Sequence, residues 1–232
     1  RWSPYTYCMN NPVRFIDPDG MEVDNFYYNQ NGELVKREIN SNPDKFYVQT
    51  GEPQTKIEVR ESCTIEGEIV TEYVRTETPI YEEVTLDSDV GSMARAVYAE
   101  MGGEDQNSKQ IVAESIKNRT ELPENTYEHA GSYKDAIGAA YDVSKPDNAA
   151  HSRYANPELS TKNNPGDRES FANSVGVAIK VDNSTKSERI GQGVIFYNST
   201  SSTIYDNNKK MQKINLNVTT SGIKGAWKLK DY

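Results

Sequence analysis

Histidine and cysteine are nearly missing from this chain, with two of each in 232 residues. Cys8 and Cys63 are too few for a disulfide scaffold and have no metal-ligand spacing, so they read as free thiols. His129 and His151 alone argue against a multi-histidine metal centre or a His-driven nuclease, and no metal or cofactor is expected. Long apolar runs are missing as well. No segment approaches the ~18 apolar residues of a membrane span, and no signal-peptide pattern opens the chain. The sequence starts at Arg1 without a methionine and reads as a fragment of something longer. A basic stripe is the last absence. The formal net charge is -9, and residues 1–87 carry 8 Lys and Arg against 17 Asp and Glu, of 26 and 35 in all, which leaves 18 of each for the remainder. A nucleic-acid partner would need clustered cations to displace counterions, and a membrane surface would favour them too, so neither partner is expected.

The most informative stretch is residues 92–119, SMARAVYAEMGGEDQNSKQIVAESIKNR. At ~100° per residue, Val90, Met93, Ala94, Val97 and Met101 share one helical stripe, and Glu100 falls at its edge, half buried. Gly102 and Gly103 end that helix, glycine being the cheapest residue in a left-handed cap. Asn107 can cap a second helix with Gln110 as capping-box partner, and Ile111, Val112, Ser115, Ile116 and Arg119 form its inner face. Two helices therefore meet around one carboxylate.

The rest of the chain is organised around this pair. Residues 21–86 alternate without a helical period, with turn signals at Asn31-Gly32, Asn42-Pro43 and Glu66-Gly67, and read as short strands in a small acidic β module. Their carboxylates lack EF-hand spacing and read as solvated strand faces. Residues 127–143 and 168–183 have helical patterns, and 191–197 reads as a strand. Residues 144–166 form a turn-rich loop holding His151, Arg153 and Tyr154; the alternation at Ile214, Leu216 and Val218 suggests a closing β segment.

Two family resemblances lie on these residues. YAE, a Gly-containing linker and KQIVAESIKNR resemble the opening motif of the SleB-like cell-wall hydrolases, with Glu100, Gln110, Ala113 and the Asn118-Arg119 pair at matching positions. GQGVIFYN at residues 191–198 is similar to that family's late strand, so the resemblance covers about residues 87–198. Lys109 stands where the family has glycine, Val194 where it has alanine, and Met101 also departs. Residues 1–20, with YTYCMNNP and DPDG, resemble the end of an RHS repeat-associated core, after which such proteins carry a variable effector. In some members an aspartyl autoprotease acts near this point, which would involve Asp17 and Asp19, but a structural turn is the preferred reading because the partner motif such cleavage needs is not in this chain.

The resemblances imply three segments: 1–20 as the end of an RHS core, 21–86 as a β-rich spacer, and 87–232 as the hydrolase. The expected class is α+β, with a lysozyme-like, mainly helical C-terminal domain. The implied activity is peptidoglycan cleavage, by lytic transglycosylase or muramidase chemistry, in a protein secreted or delivered to the envelope of a target bacterium. Peptidoglycan glycan strands would be its substrate and a cognate immunity protein a further partner. Glycosidic cleavage needs a proton on the leaving oxygen, and Glu100 in a partly apolar setting can supply it. The bland alternative pairs Glu100 with Arg119 or Arg95, which would lower its pKa. Neither Glu104, Asp105 nor Glu114 has the spacing of a second carboxylate. Tyr98, Gln110, Tyr154, Tyr197 and Asn198 are the candidate substrate-binding residues. The competing expectations are a non-catalytic glycan-binding tip and an effector of unrelated chemistry.

Overall fold

The structure is a computed structural model that describes residues 23–40, 43–63, 69–126, 128–161, 164–186, 194–198, 211–216 and 218–230. The RHS-like segment, Asp17, Asp19 and Cys8 lie outside the described residues, as does the side chain of Cys63. The chain is α+β.

Strands β1 (Val23–Tyr28), β2 (Leu34–Asn40), β3 (Lys45–Gln49) and β6 (Tyr81–Glu83) form one sheet in the order β2-β1-β3-β6. β1 and β3 run parallel, and the other neighbours are antiparallel. Strands β4 (Gln54–Cys63) and β5 (Ile69–Thr78) form a separate antiparallel ribbon inserted between β3 and β6. The helices follow: α1 (Asp89–Met101), α2 (Gln106–Glu121), α3 (Tyr133–Ala140), the short α4 (His151–Ala155) and α5 (Pro157–Thr161), then α6 (Pro165–Asn183). Strands β7 (Val194–Asn198), β8 (Met211–Ile214) and β9 (Gly225–Leu229) close the chain as a second sheet in the order β7-β9-β8.

Helices α1, α2 and α6 pack on one another, with the first sheet against α6 and β7 against α2. Alternation in β1 turns Asp24, Phe26 and Tyr28 inward. Phe46 meets the α6 residue Phe171 edge-on at 5.4 Å, and the Tyr28 hydroxyl donates to the Ala172 carbonyl at 2.8 Å. Gly32, at φ 70°, needs the left-handed region and also touches α6 so closely that a Cβ would lie 1.9 Å from the Gly176 carbonyl oxygen. Arg168 of α6 reaches back to Asp44 with two hydrogen bonds, at 2.7 and 2.5 Å, and to the fully buried Asp24 at 3.1 Å. The expected boundary after residue 86 therefore runs through a shared core: Phe26, Tyr28 and Phe46 belong to the same buried cluster as the helices.

Local details depart from expectation for physical reasons. Gly102 is right-handed at φ -54°, so helix α1 ends without a left-handed cap. Asp105 rather than Asn107 caps α2, its carboxylate accepting from the Ser108 amide at 2.8 Å. Asn107 lies inside the helix and donates to the Thr219 carbonyl at 2.9 Å. The turn-rich loop contains α4 and α5, and the third helix starts at Tyr133, where the Ser132 hydroxyl accepts from the Asp135 amide.

Candidate active site

Glu100 is the penultimate residue of α1, and the stripe Met93, Ala94, Val97 and Met101 beside it is buried. Its own side chain is half buried, as the helical pattern requires. Burial pushes its carboxyl above the ordinary 4.5; a hydrogen bond with the Tyr197 phenol pulls the other way, and the negative charge of Asp142 adds to the rise. Neither Arg95 nor Arg119 pairs with Glu100 among the described residues. Arg119 is committed to Glu128 at 2.6 Å, and the Arg95 guanidinium lies over the Tyr154 ring at 4.9 Å. The carboxyl is thus left in a setting that favours its protonated form.

Tyr197 arrives on β7, and α2 decides where that strand lies. Asn118 donates to the Val194 carbonyl at 2.7 Å, and Arg119 donates to the Ile195 carbonyl at 3.3 Å. Adjacent side chains on one helix thereby hold adjacent carbonyls of β7. Val194 and Ile195 are both buried although they are consecutive, because the pairing of β7 with β9 shifts register there. The strand then delivers Tyr197 to Glu100.

A second tyrosine completes the wall. The Tyr141 hydroxyl lies 2.5 Å from that of Ser115, and its ring centre is 6.0 Å from that of Tyr197. Arg119 is close enough to hydrogen-bond Tyr141 and to favour its ionised form, but burial dominates and pushes the phenol up. Tyr197 is likewise raised, by burial first and then by the Glu100 charge, so both phenols remain neutral hydrogen-bonding groups over the working range of a carboxylic acid. Asp142 follows on a 3-10 turn, Asp142–Ser144, and is exposed and paired with Lys145 at 2.5 Å. Sequence spacing missed Tyr141 and Asp142, which come near Glu100 only through the fold, and Ser115 and Glu128, which hold Tyr141 and Arg119 in place. The tyrosine next to an acidic residue after a helical pattern was the one local signal.

The other sequence candidates fall elsewhere. Tyr98 is 0% exposed and packs edge-on to Phe171 at 5.3 Å, so it presents no face to a ligand. Gln110, 6% exposed, donates to Glu114 at 2.8 Å and accepts from Lys180 of α6 at 3.4 Å. Tyr154 is half buried under Arg95, on the short helix α4 that packs against α1. Asn198 pairs with Gly225 through the backbone, and its side chain lies outside the described residues. Of the alternative carboxylates, Glu114 is buried with Gln110. Burial alone would raise Asp105, but hydrogen bonds from Ser221 and Ser108 outweigh it and hold the carboxyl at about 2. Lys109 extends into the α2–α6 contact and donates to the Ser170 hydroxyl at 3.0 Å.

No group of three or more His, Cys, Asp or Glu residues is placed to hold a metal ion among the described residues. No helix among them is long and apolar enough to cross a membrane. No protein-family profile, no curated protein and no solved structure matches the chain.

Proposed function

We propose that this chain is a peptidoglycan-cleaving glycosidase, of lytic transglycosylase or muramidase type, with a lysozyme-like helical core and Glu100 as general acid and then base. The observation that carries the reading is the Glu100 carboxyl: half buried, raised by that burial, without a cation partner among the described residues, and hydrogen-bonded to a neutral tyrosine. Such a group is protonated at a higher pH than a surface glutamate and can deliver its proton to the leaving glycosidic oxygen. The Tyr197 hydroxyl then donates to the carboxylate that remains. In the transglycosylase route that carboxylate takes the proton of the muramic acid 6-hydroxyl as it closes the 1,6-anhydro ring, so one carboxylate suffices. Hydrolysis would instead need a base for water, and Asp142 is the carboxylate whose charge acts on Glu100.

The motif resemblance supports the same reading, since Glu100, Asn118, Arg119 and the strand bearing Tyr197 are linked in space. In this proposal the chain is the effector portion of an RHS-type protein, secreted or delivered to a target cell envelope. Its partners are glycan strands and a cognate immunity protein.

Incubation with purified sacculi tests it. Wild-type protein should release soluble muropeptides, and Glu100→Gln should lower the rate by ~10²- to 10⁴-fold while remaining folded. Anhydro-muropeptides by mass spectrometry identify transglycosylation, and reducing ends identify hydrolysis. Sacculi bound without release would indicate a glycan-binding tip. An undiminished rate in Glu100→Gln would remove Glu100 from the chemistry altogether.

A further inference from the structure

The β4–β5 ribbon is the part of the fold least supported by the rest. Its two ten-residue strands pair only with each other, and no third strand borders either edge among the described residues. No helix packs substantially on its faces there. An isolated two-stranded hairpin is marginal in water, and a free edge offers a row of unpaired backbone donors and acceptors. This ribbon also exposes apolar side chains. Ile57, Val59 and Tyr73 are 62%, 57% and 71% exposed and share one face, with Val59 directly opposite Tyr73 in the register.

The charges along β4 discriminate among occupants of that edge. Glu58 sits between Lys56, at 2.8 Å, and Arg60, at 3.5 Å, on the opposite face from Ile57 and Val59. A second copy of β4, laid antiparallel with Val59 opposite Val59, brings each Glu58 opposite the other copy's Arg60. It also keeps both apolar faces on the same side of the joined sheet and overlaps residues 55–63 of the two strands. Shifting the centre to Glu58 would instead oppose Glu58 to Glu58 and Lys56 to Arg60, both repulsive. Centring on Ile57 restores opposite charges but shortens the overlap to residues 54–60. The Val59-centred register also produces one cross-strand row, Tyr73, Val59, Val59 and Tyr73, and such aromatic and β-branched neighbours stabilise sheets. For β5 no same-face register with comparable overlap brings Arg75 opposite a carboxylate, because Glu77 lies at the strand end.

We propose that the ribbon is a self-association element. Two copies of this chain pair through the β4 edge, antiparallel about Val59, into a four-stranded sheet in the order β5-β4-β4-β5, clamped by two Glu58–Arg60 pairs. The surface is independent of the Glu100 site.

Sedimentation velocity of the full chain from micromolar to submillimolar concentration tests the proposal. Wild type should show a concentration-dependent dimer. Glu58→Arg and Arg60→Glu should each weaken it by about tenfold or more, since each converts two attractive pairs into two repulsive ones. The double variant Glu58→Arg/Arg60→Glu should dimerise again, and Val59→Lys should stay monomeric. Circular dichroism confirms that the variants remain folded. A wild type that stays monomeric throughout, or a dimer that neither single exchange weakens, overturns the proposal. So does a double variant no better than the singles. Complementary mixing adds an independent arm: in a mixed dimer of Glu58→Arg with Arg60→Glu both cross-strand pairs oppose unlike charges, so the mixture should associate where neither single variant does alone, and a mixture no better than the separate singles overturns the proposal.

Discussion

At the residue scale, Glu100 links function to stability with a definite sign. Its folded pKa lies above the ordinary 4.5, so between those two values the native state binds more protons than the unfolded chain. Stability is then greatest below the unfolded value and declines as pH rises through the folded one. Glu100→Gln removes that decline, so its melting temperature should exceed the wild type's at neutral pH and converge with it near about pH 4. Identical melting curves at neutral pH would mean that burial does not strain the carboxyl. Tyr197→Phe removes the hydrogen bond that holds the Glu100 pKa down, and carbon NMR titration of the glutamate carboxyl should show it moving higher still. An unmoved titration would detach Tyr197 from the site. Arg168→Ala has a different mechanism, because it takes a cation from Asp24, which is fully buried. Arg37 still reaches Asp24 at 2.5 Å, so the loss should lie near the lower end of the ~3–5 kcal/mol seen when buried pairs are broken.

The elements carry their own signals, and these were unevenly readable. Stripe positions in α1 placed Glu100 correctly at a half-buried edge, because 3.6-residue periodicity depends on the helix alone. The cap of α2 was less determinate. Asp105 and Asn107 are both good caps, and the choice fell to Asp105 where the Ser221 segment closes over it. The Asp105 amide donates to the Ser221 hydroxyl at 3.0 Å, and the Ser221 amide donates back to the Asp105 carboxylate. Asp105→Ala should cost about 1–2 kcal/mol in chemical denaturation. Since hydrogen bonding depresses this carboxyl from 3.8 to about 2, its contribution is present above the unfolded value and disappears as pH falls through about 2. The difference between variant and wild type should therefore shrink over that acid window. Asn118→Ala tests the clasp on β7: it leaves a buried carbonyl without its 2.7 Å donor and should cost about 1–3 kcal/mol. If the clasp positions Tyr197, the Glu100 titration should move with it.

For the whole molecule, the acidic N-terminal strands are two unlike pieces. The sheet containing β1 and β3 closes the α6 side of the core, whereas the β4–β5 ribbon projects from the β3–β6 connection. The Thr50 amide donates to the Ile80 carbonyl at 2.9 Å, so the two ends of the insertion are already adjacent. A chain in which residues 51–79 are replaced by an Asn-Gly turn should fold with near-normal thermal stability. A chain beginning at Asp87 should aggregate, because it uncovers Phe171 and the Gly176 surface of α6. A soluble, cooperatively melting product from the second design would mean that the helices need no sheet.

Local physics could be read directly from the chain: where the longer helices lie, which stretches alternate, and that Glu100 would lie half in the core, although the short α4 and α5 were not legible. Those properties follow from side-chain period and backbone preference over a few residues. The neighbours of Glu100 could not be read in that way. Tyr141 and Tyr197 lie 41 and 97 positions after it, and they reach it because α3 ends against the core and because Asn118 and Arg119 hold β7 by its carbonyls. Tyr98 and Gln110 follow the same rule in reverse. Both stand in the motif beside Glu100, yet the packing of α6 encloses them. Sequence distance measures neither approach nor enclosure, because both are set by contacts between elements that form only when the whole core closes.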